Sequence, residues 1–304
     1  MQVPRKAEGV GKTSSIFPIS SYRLGRGASR ASLYVIIILL SIVFAFPFFW
    51  TVSSSLKTGP EWYIFPPKWL PASPQWGNYL RVFQMFRYPY GRWILNSATI
   101  VVFCTLGTMI SGSLVAYGFS RFPFPGRGAL FIITLSTMMI PSHVTLIPQF
   151  IIFHRLGWVD TLRPLIVPSW FGGGAFYIFL LRQFFMTLPK ELDEAALIDG
   201  AGYFRVFWHI LLPLCLPVLA TVGIISFMEH WSDFMGPLIY LNSNKNFTVA
   251  VGIQFFQDAR DLGGEHLQHI LMAATSMSII PCILVFFAAQ RYFVRGIVMT
   301  GLKG

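Results

Sequence analysis

Runs of about twenty apolar residues recur along this chain, and no other feature limits its possible folds so strongly. A helix advances about 1.5 Å per residue, so roughly twenty residues cross a hydrocarbon core about 30 Å thick, where every backbone polar group must find an internal partner. Six segments qualify: residues 33–53, 94–119, 128–151, 164–185, 211–232 and 269–290. Pro141, Pro148 and Pro168 interrupt the third and fourth. Breaks of that kind persist in a membrane only where protein or a wet cavity satisfies the freed groups. The composition agrees, with 54% hydrophobic and 12% charged residues and a mean hydropathy of +0.60. The chain reads as an all-α polytopic membrane protein, six transmembrane helices around a pathway.

Arg5, Lys6, Lys12, Arg23, Arg26 and Arg30 precede the first apolar run. That run is too long for a signal peptide and no A-x-A site follows it, so it is expected to be a retained first helix with its N-terminus in the cytoplasm. An even number of spans returns the C-terminus to the same side. With that topology the cytoplasmic side carries 14 of the 23 Lys and Arg residues, the sense expected of a positive-inside bias. The net charge of +11 then reflects orientation and anionic-lipid contact, and nucleic acid is not expected as a partner. Three domains follow: a basic, disordered cytoplasmic arm at 1–30, a transmembrane body at 31–290 and a cytoplasmic tail at 291–304.

Several motifs are superficial. "GVGKTSS" at 9–15 resembles the end of a phosphate-binding loop, but Lys6 stands where the first glycine is required and no buried strand precedes it, so no ATPase site is expected in the chain. His266 and His269 beside Glu265, and Glu229 beside His230, match no zinc spacing. Cys104, Cys215 and Cys282 lie unpaired in apolar segments, which suggests neither a disulfide framework nor a thiolate metal site. The sequon Asn246, Phe247, Thr248 is a common chance triplet.

The most unusual stretch is "TLPKELDEAALIDGAG", residues 187–202. Of 12 acidic residues in the chain, Glu191, Asp193, Glu194 and Asp199 fall here. Pro189 suits a first helical turn, the acidic residues favour a helix N-terminus, and Gly200 is suited to positive φ. A helix of about ten residues is expected, roughly 15 Å long, with Leu192, Ala195, Ala196 and Asp199 on one face. That face suits close docking on a cationic partner, or equally a solvated surface helix.

Glu194, Ala195, Ala196, then Gly200, then Ile210, Leu212 and Pro213 have the spacing of the EAA loop, and on these residues the chain resembles the permeases of ABC importers. "IPQFIIFHRLGWVDT", "FLLRQFFMTLPKELDEAALIDGAG", "SDFMGPLIYL" and "QRYFVRGIVMTGLKG" are similar to the carbohydrate-importer branch, in particular the smaller six-helix permease of maltose-type systems, over residues 30–304. The resemblance implies the type I ABC importer permease fold. It also implies a cytoplasmic coupling loop at 187–213, in which Glu194 and Asp199 anchor to an ATPase subunit, Ala195 and Ala196 permit close fit and Gly200 turns the chain. Ile210, Leu212 and Pro213 close the motif, the last two locking the loop against the fifth helix. The implied partners are a homologous second permease, two ATP-binding cassette subunits that hold ATP and Mg, and an extracytoplasmic solute-binding protein. The chain itself would carry no catalysis and no cofactor. The tail from Tyr292 is similar to a segment that reaches between the ATPase subunits.

Polar groups at membrane depth are costly and usually face the bundle interior. Asn96, His143, Glu229 and His230 are such groups, and Trp170, Phe171 and Trp231 are aromatic walls against which a sugar ring could stack. Residues 56–92, with Pro60, Pro66, Pro67, Pro71 and Pro74 among Trp62, Trp69 and Trp76, read as an ordered outer loop. With 233–268 it would face the binding protein. An ion-coupled transporter working alone would require carboxylates buried mid-helix, and an intramembrane hydrolase would require paired catalytic residues. Neither pattern is present.

Overall fold

The computed structural model describes the backbone of residues 19–85, 89–257 and 267–300, and the side chains of residues 32–85, 89–257, 267–288 and 290. The phosphate-loop-like stretch at 9–15, Glu265, His266 and residues 301–304 lie outside the described residues. Residues 1–50 and 51–304 form two compact units. The first is helical from residue 19, as the N-terminal part of α1 (Ile19–Ser55). Of the arm expected at 1–30, the residues from Ile19 onward belong to α1.

The second unit begins with the end of α1 and two short helices, α2 (Gly59–Trp62) and α3 (Gly77–Gln84). The long α4 (Tyr90–Arg121) follows. α5 (Arg127–Ser136) ends in a 3-10 turn and is followed by α6 (Ser142–Arg155). α7 (Arg163–Ile166), a second 3-10 turn at Val167–Trp170, and α8 (Ala175–Thr187) form one candidate span. α9 (Glu191–Ile198) is the acidic helix. α10 (Tyr203–Val206) runs through a π turn, Phe207–Leu211, into α11 (Leu212–Leu214) and, after Cys215, α12 (Leu216–Ser232). α13 (Met235–Tyr240), α14 (Val249–Phe256) and α15 (Gln268–Thr300) complete the chain. No strand occurs among the described residues.

Among the described residues four helical stretches are long and apolar enough to cross a membrane, and up to six if each of two bent pairs is one span. The expected third span, 128–151, is one of these pairs, with α5 and α6 meeting at 97°. Pro141 explains the bend: it has no N–H to donate and holds Ile140 extended, at φ −82° and ψ 115°. The expected fifth span, 211–232, is the upper arm of the other pair, bent by 79° at Cys215, where Pro213 and Pro217 withhold two donors. The sixth, expected to end at 290, continues as helix to Thr300.

α4 is the mast of this unit: α8 and α12 pack on it, and α15 packs on α12. Two cores result. At the N-terminal end of α4, Tyr90, Trp93, Val251, Ile270 and Ala273 are fully buried. Trp93 donates Nε1 to Asn244 O at 2.8 Å, and a Cβ on Gly252 would lie 2.2 Å from the Trp93 ring, so only glycine allows α14 to approach. The 56–84 segment is ordered, as expected: Asn78 is buried and donates to Ser55 O and Lys57 O at 2.8 and 2.9 Å, and Glu61 accepts from Ala72 N at 2.8 Å.

At the same end Asp160 fastens two loops together. Its Oδ1 accepts from the backbone N–H groups of Asn242 and Ser243 at 3.0 and 2.8 Å and from Asn246 Nδ2 at 3.1 Å. Ser243 Oγ donates to its Oδ2. The backbone there stands at φ 60°, a conformation that Asp tolerates better than most residues. Burial works to raise the Asp160 carboxyl, but the donors from Ser243, Asn242 and Asn246 outweigh it and hold the group down to about 2. The latch is therefore complete above the ordinary carboxylate range and is lost only as pH falls through about 2. Asp160→Asn turns a donor toward donors and should cost about 1–3 kcal/mol. Thermal unfolding of the solubilised protein should show a gap between wild type and variant that is constant across neutral pH and narrows only in strong acid.

Candidate functional site

The acidic helix α9 sits on the second core, at the C-terminal end of α4. Tyr117 is the hub there, with ring centroids 5.1 Å from Phe207, 5.2 Å from Phe122 and 6.2 Å from Phe185. Phe122 in turn meets Tyr203 edge-on at 5.1 Å. Leu181, Phe185, Val206, Leu211 and Cys215 are fully buried around them. Aromatic rings supply large contact areas with defined geometry, so the ends of α4, α8 and α12 are joined into one block.

An ion pair fastens α9 to this block. Arg121 Nε lies 2.8 Å from Asp193 Oδ2, with side chains 7% and 16% exposed. A second nitrogen of the same guanidinium donates to Leu188 O at 3.1 Å. One arginine at the end of α4 therefore holds both the entry to α9 and its first turn. Burial pushes the Asp193 carboxyl up and the neighbouring Arg121 opposes it. At the other end Gly200 adopts φ 81° and Ala201 N donates back to Ala196 O at 2.9 Å, which closes the helix in the manner of a left-handed C-cap. No atom lies within 4 Å of where a Gly200 Cβ would stand, so the requirement for glycine is conformational.

Three expectations about this segment need correction. The helix is shorter, eight residues from Glu191 to Ile198, and Pro189 precedes it rather than occupying its first turn. Ala196 is only 7% exposed and packs into the chain's own core, so it is not on a docking face. The Arg121–Asp193 pair turns the helix so that Asp193, Ala196 and Leu197 point inward. Leu192, Glu194, Ala195, Ile198 and Asp199 are left exposed, Ile198 at 85%. Finally, Pro213 is exposed, and fully buried Leu211, beside partly buried Ile210 and Leu212, does the locking.

A second feature lies midway along α4. Gly172, Gly173 and Gly174 stand at φ 91°, 67° and 113° and break the span between the 3-10 turn and α8. A Cβ on Gly173 would come within 2.8 Å of Thr108 Cα, and one on Gly107 within 2.8 Å of the Trp170 ring. The break is thus pressed against α4, and Ser111 Oγ serves it by accepting from Gly172 N and donating to Ser169 O, both at 3.1 Å. Beside it, Tyr177 donates to Glu229 Oε2 at 2.5 Å.

The sequence-derived pathway residues separate accordingly. Glu229 joins Tyr177, while Trp170 is 41% and Phe171 82% exposed at the glycine break. His143 is exposed in the first turn of α6. Trp231 is 9% exposed, stacks on Phe227 and donates to Ser278 O at 3.0 Å, which makes it a strut between α12 and α15 and not a wall. Asn96 uses its amide on Lys245 O and Phe247 O, at 3.0 and 2.9 Å. Arg121, its pairing with Asp193 and the triple glycine were overlooked in the sequence. Only the glycine run carried a local signal, and the ion pair spans residues too distant in sequence to suggest each other.

A bundle built on one mast helix, with broken spans and an acidic helix at its base, defines a polytopic transport subunit. Residues 107–299 match the family described as binding-protein-dependent transport system inner membrane component. A probable ABC transporter permease of Bacillus subtilis (strain 168) is 33% identical over 278 residues, covering 90% of this chain and 89% of the relative. A trehalose/maltose transport system permease of Thermococcus litoralis is 32% identical over 275 residues, covering 90% and 97%. The crystal structure of a bacterial ABC transporter involved in the import of the acidic polysaccharide alginate has a chain of the same fold, with a TM-score of 0.77, 23% identity and coverage of 92% of this chain and 100% of that one. The chain belongs to the family of binding-protein-dependent transport system inner membrane components, and it is the multi-pass permease subunit of an ABC importer.

Two outcomes test the geometry. Arg121→Met should cost roughly 3 kcal/mol by stranding a buried carboxylate, and it should raise the Asp193 carboxyl further. A carboxyl raised on folding is tolerated when protonated and loses stability as pH rises through its folded value. Hydrogen exchange across 188–202, corrected for intrinsic rate, should therefore accelerate with rising pH more steeply in the variant than in wild type, whose Asp193 carboxyl is raised less. Gly173→Ala should lower both thermal stability and transport, whereas Gly118→Ala, where a Cβ meets nothing within 4 Å, should alter neither.

Proposed function

We propose that this chain is the smaller permease of a sugar importer, and that α9 is the coupling helix through which ATP hydrolysis in a partner subunit drives the bundle between inward- and outward-facing states. The observation that carries this reading is the contrast within α9. One side is fastened to α4 by a buried ion pair, while the other presents Ile198, 85% exposed, between Glu194 and Asp199. An exposed aliphatic flanked by carboxylates on a rigid support suits docking in an apolar cleft rimmed with cations.

Both termini and α9 lie on the cytoplasmic side, and the transmembrane body is flanked by a basic arm and a C-terminal tail. A homologous permease supplies the other half of the pathway, and two ATP-binding cassette subunits hold ATP and Mg. An extracytoplasmic solute-binding protein docks on the face built from α2, α3, α13 and α14. Sugar as cargo is supported by the relatives' names and by the chemistry near the glycine break, where Phe171 and Trp170 offer ring faces and Glu229 a hydroxyl acceptor. Glu229, Trp170, Phe171 and, at the start of α6, His143 are the pathway residues of this reading.

The test uses the reconstituted complex. Glu194→Lys, Ile198→Asp and Gly200→Val should leave the permease inserted but detach the ATPase or abolish its stimulation by loaded binding protein. For Gly200→Val the backbone cost alone is about 1–2 kcal/mol or more. Unchanged transport in all three variants would overturn the assignment of α9.

A further inference from the structure

The elbow between α4 and α5, residues 122–127, carries a second cluster of charge that the coupling reading does not use. Arg182, on α8, donates Nε to Phe119 O at 3.3 Å, and its guanidinium lies 4.1 Å from the centroid of the Phe131 ring. Arg127, at the start of α5, donates one nitrogen to Phe122 O at 3.3 Å, and Phe131, the ring that Arg182 covers, lies one turn farther along the same face of α5, which brings the two guanidinium groups to one side of the elbow. Both are half-buried. Each guanidinium has five N–H donors and one hydrogen-bond acceptor among the described residues, which leaves most of the donors available.

Among the described residues no carboxylate is within ion-pair distance of either. Among the described residues the ion pairs are Lys68–Glu61 and Arg121–Asp193. Two neighbouring cations in a partly dry setting, without an anion from their own chain, call for one from outside. The surroundings indicate its kind. Phe119 packs on Phe124 and Phe131, with centroids 6.1 and 5.4 Å apart, and a groove of about 370 Å³ opens beside Arg127 between Pro123, Phe124 and Pro125. Farther along α5, Leu130 and Ile133 are 49% and 61% exposed. Arg182 stands five residues before the end of its helix, about 7 Å along the axis, the depth at which a snorkelling arginine meets phospholipid headgroups.

We infer that the α4–α5 elbow is a binding site for an anionic phospholipid, whose phosphodiester is held between the guanidinium groups of Arg127 and Arg182 and whose acyl chains lie along the apolar side of α5. The charge supplies selectivity and the exposed aliphatic residues supply the contact that a free phosphate ion would not use. A lipid seated there would brace the end of α4 next to the Arg121 clamp. The inference depends on α4 and α8 spanning the membrane and is independent of what α9 docks to.

The experiment measures lipid retained by the full-length permease in its assembled complex, purified from nanodiscs of equal phosphatidylglycerol and phosphatidylcholine and read by mass spectrometry after mild delipidation. Wild type should retain phosphatidylglycerol in preference to phosphatidylcholine by roughly tenfold or more, and Arg127→Gln with Arg182→Gln should abolish that preference. Arg127→Gln alone keeps the Arg182 bond to Phe119 and hence the packing of α8 on α4. It should lose most of the preference without a fall in melting temperature, and Arg127→Lys should restore part of it. Equal retention of the two lipids by wild type, or an undiminished preference in the double variant, would overturn the site. Complete displacement of phosphatidylglycerol by millimolar inorganic phosphate would mean a free-anion site instead. Loss of a partner subunit from the double variant with lipid retention intact would mean a protein contact. Either of these also overturns the lipid assignment.

Discussion

A backbone N–H or C=O left unpaired in hydrocarbon costs several kcal/mol, and this protein breaks its spans at three places. Polar side chains spaced along α4 meet much of that cost. Ser111 serves both sides of the glycine break. Toward one end, Ser97 Oγ accepts from Val249 N at 2.9 Å and Asn96 caps two carbonyls of the preceding loop. At the other end, Arg121 holds Leu188 O, and the α4 carbonyl of Phe119 in turn receives Arg182. The glycine break and the loops at both ends of α4 can exist because one uninterrupted helix carries their missing partners.

Mechanical consequences follow from the same arrangement. The acidic helix is fixed to α4 by Asp193 and to the start of the π turn by the aromatic block around Tyr117 and Phe207. A push on its exposed face therefore acts on α4, α8 and α12 together, and cannot be absorbed by a slack loop. The glycine break packs on the same α4, about three turns from Arg121. A shift of α4 relative to α8 bears directly on Thr108 and Gly173, where a single methyl group has no room. The base of the bundle and its interior are thus linked by one rigid element, the property a transport subunit needs for closure at one end to alter access along the pathway.

Charge is used sparingly and for two distinct purposes. Half-buried charges with a partner, Arg121 with Asp193 and Asp160 with its ring of donors, fix geometry. Charges without one, Arg127 and Arg182 at the elbow and Glu194 and Asp199 on α9, lie at surfaces where another molecule can supply the counter-charge. With so few acidic residues, the distribution of carboxylates is itself informative: Glu61 and Asp160 hold loops, and those of α9 face both inward and outward.

Span length, the acidic helix and its glycine terminus were legible in the sequence because each rests on local rules. Twenty apolar residues must cross a bilayer whatever their neighbours, and Gly200 suits positive φ whatever packs around it. Pro141 marked a real break, yet Pro148 lies inside α6 without one, since a proline only removes a donor and its neighbours decide whether the helix bends. The rotation of α9 was not legible. Periodicity placed Ala195 and Ala196 on one face, and only the approach of Arg121, far away in the chain, turned Ala196 inward and left Ile198 outside. The same holds for Trp231 and Asn96, which are polar or aromatic enough for a pathway but find carbonyl partners on neighbouring segments. That the chain spans a membrane and carries an acidic helix between two of its spans follows from local residue patterns alone. Which face of that helix is free depends on the folded arrangement, because side chains distant in sequence compete for it through contacts that no local pattern encodes.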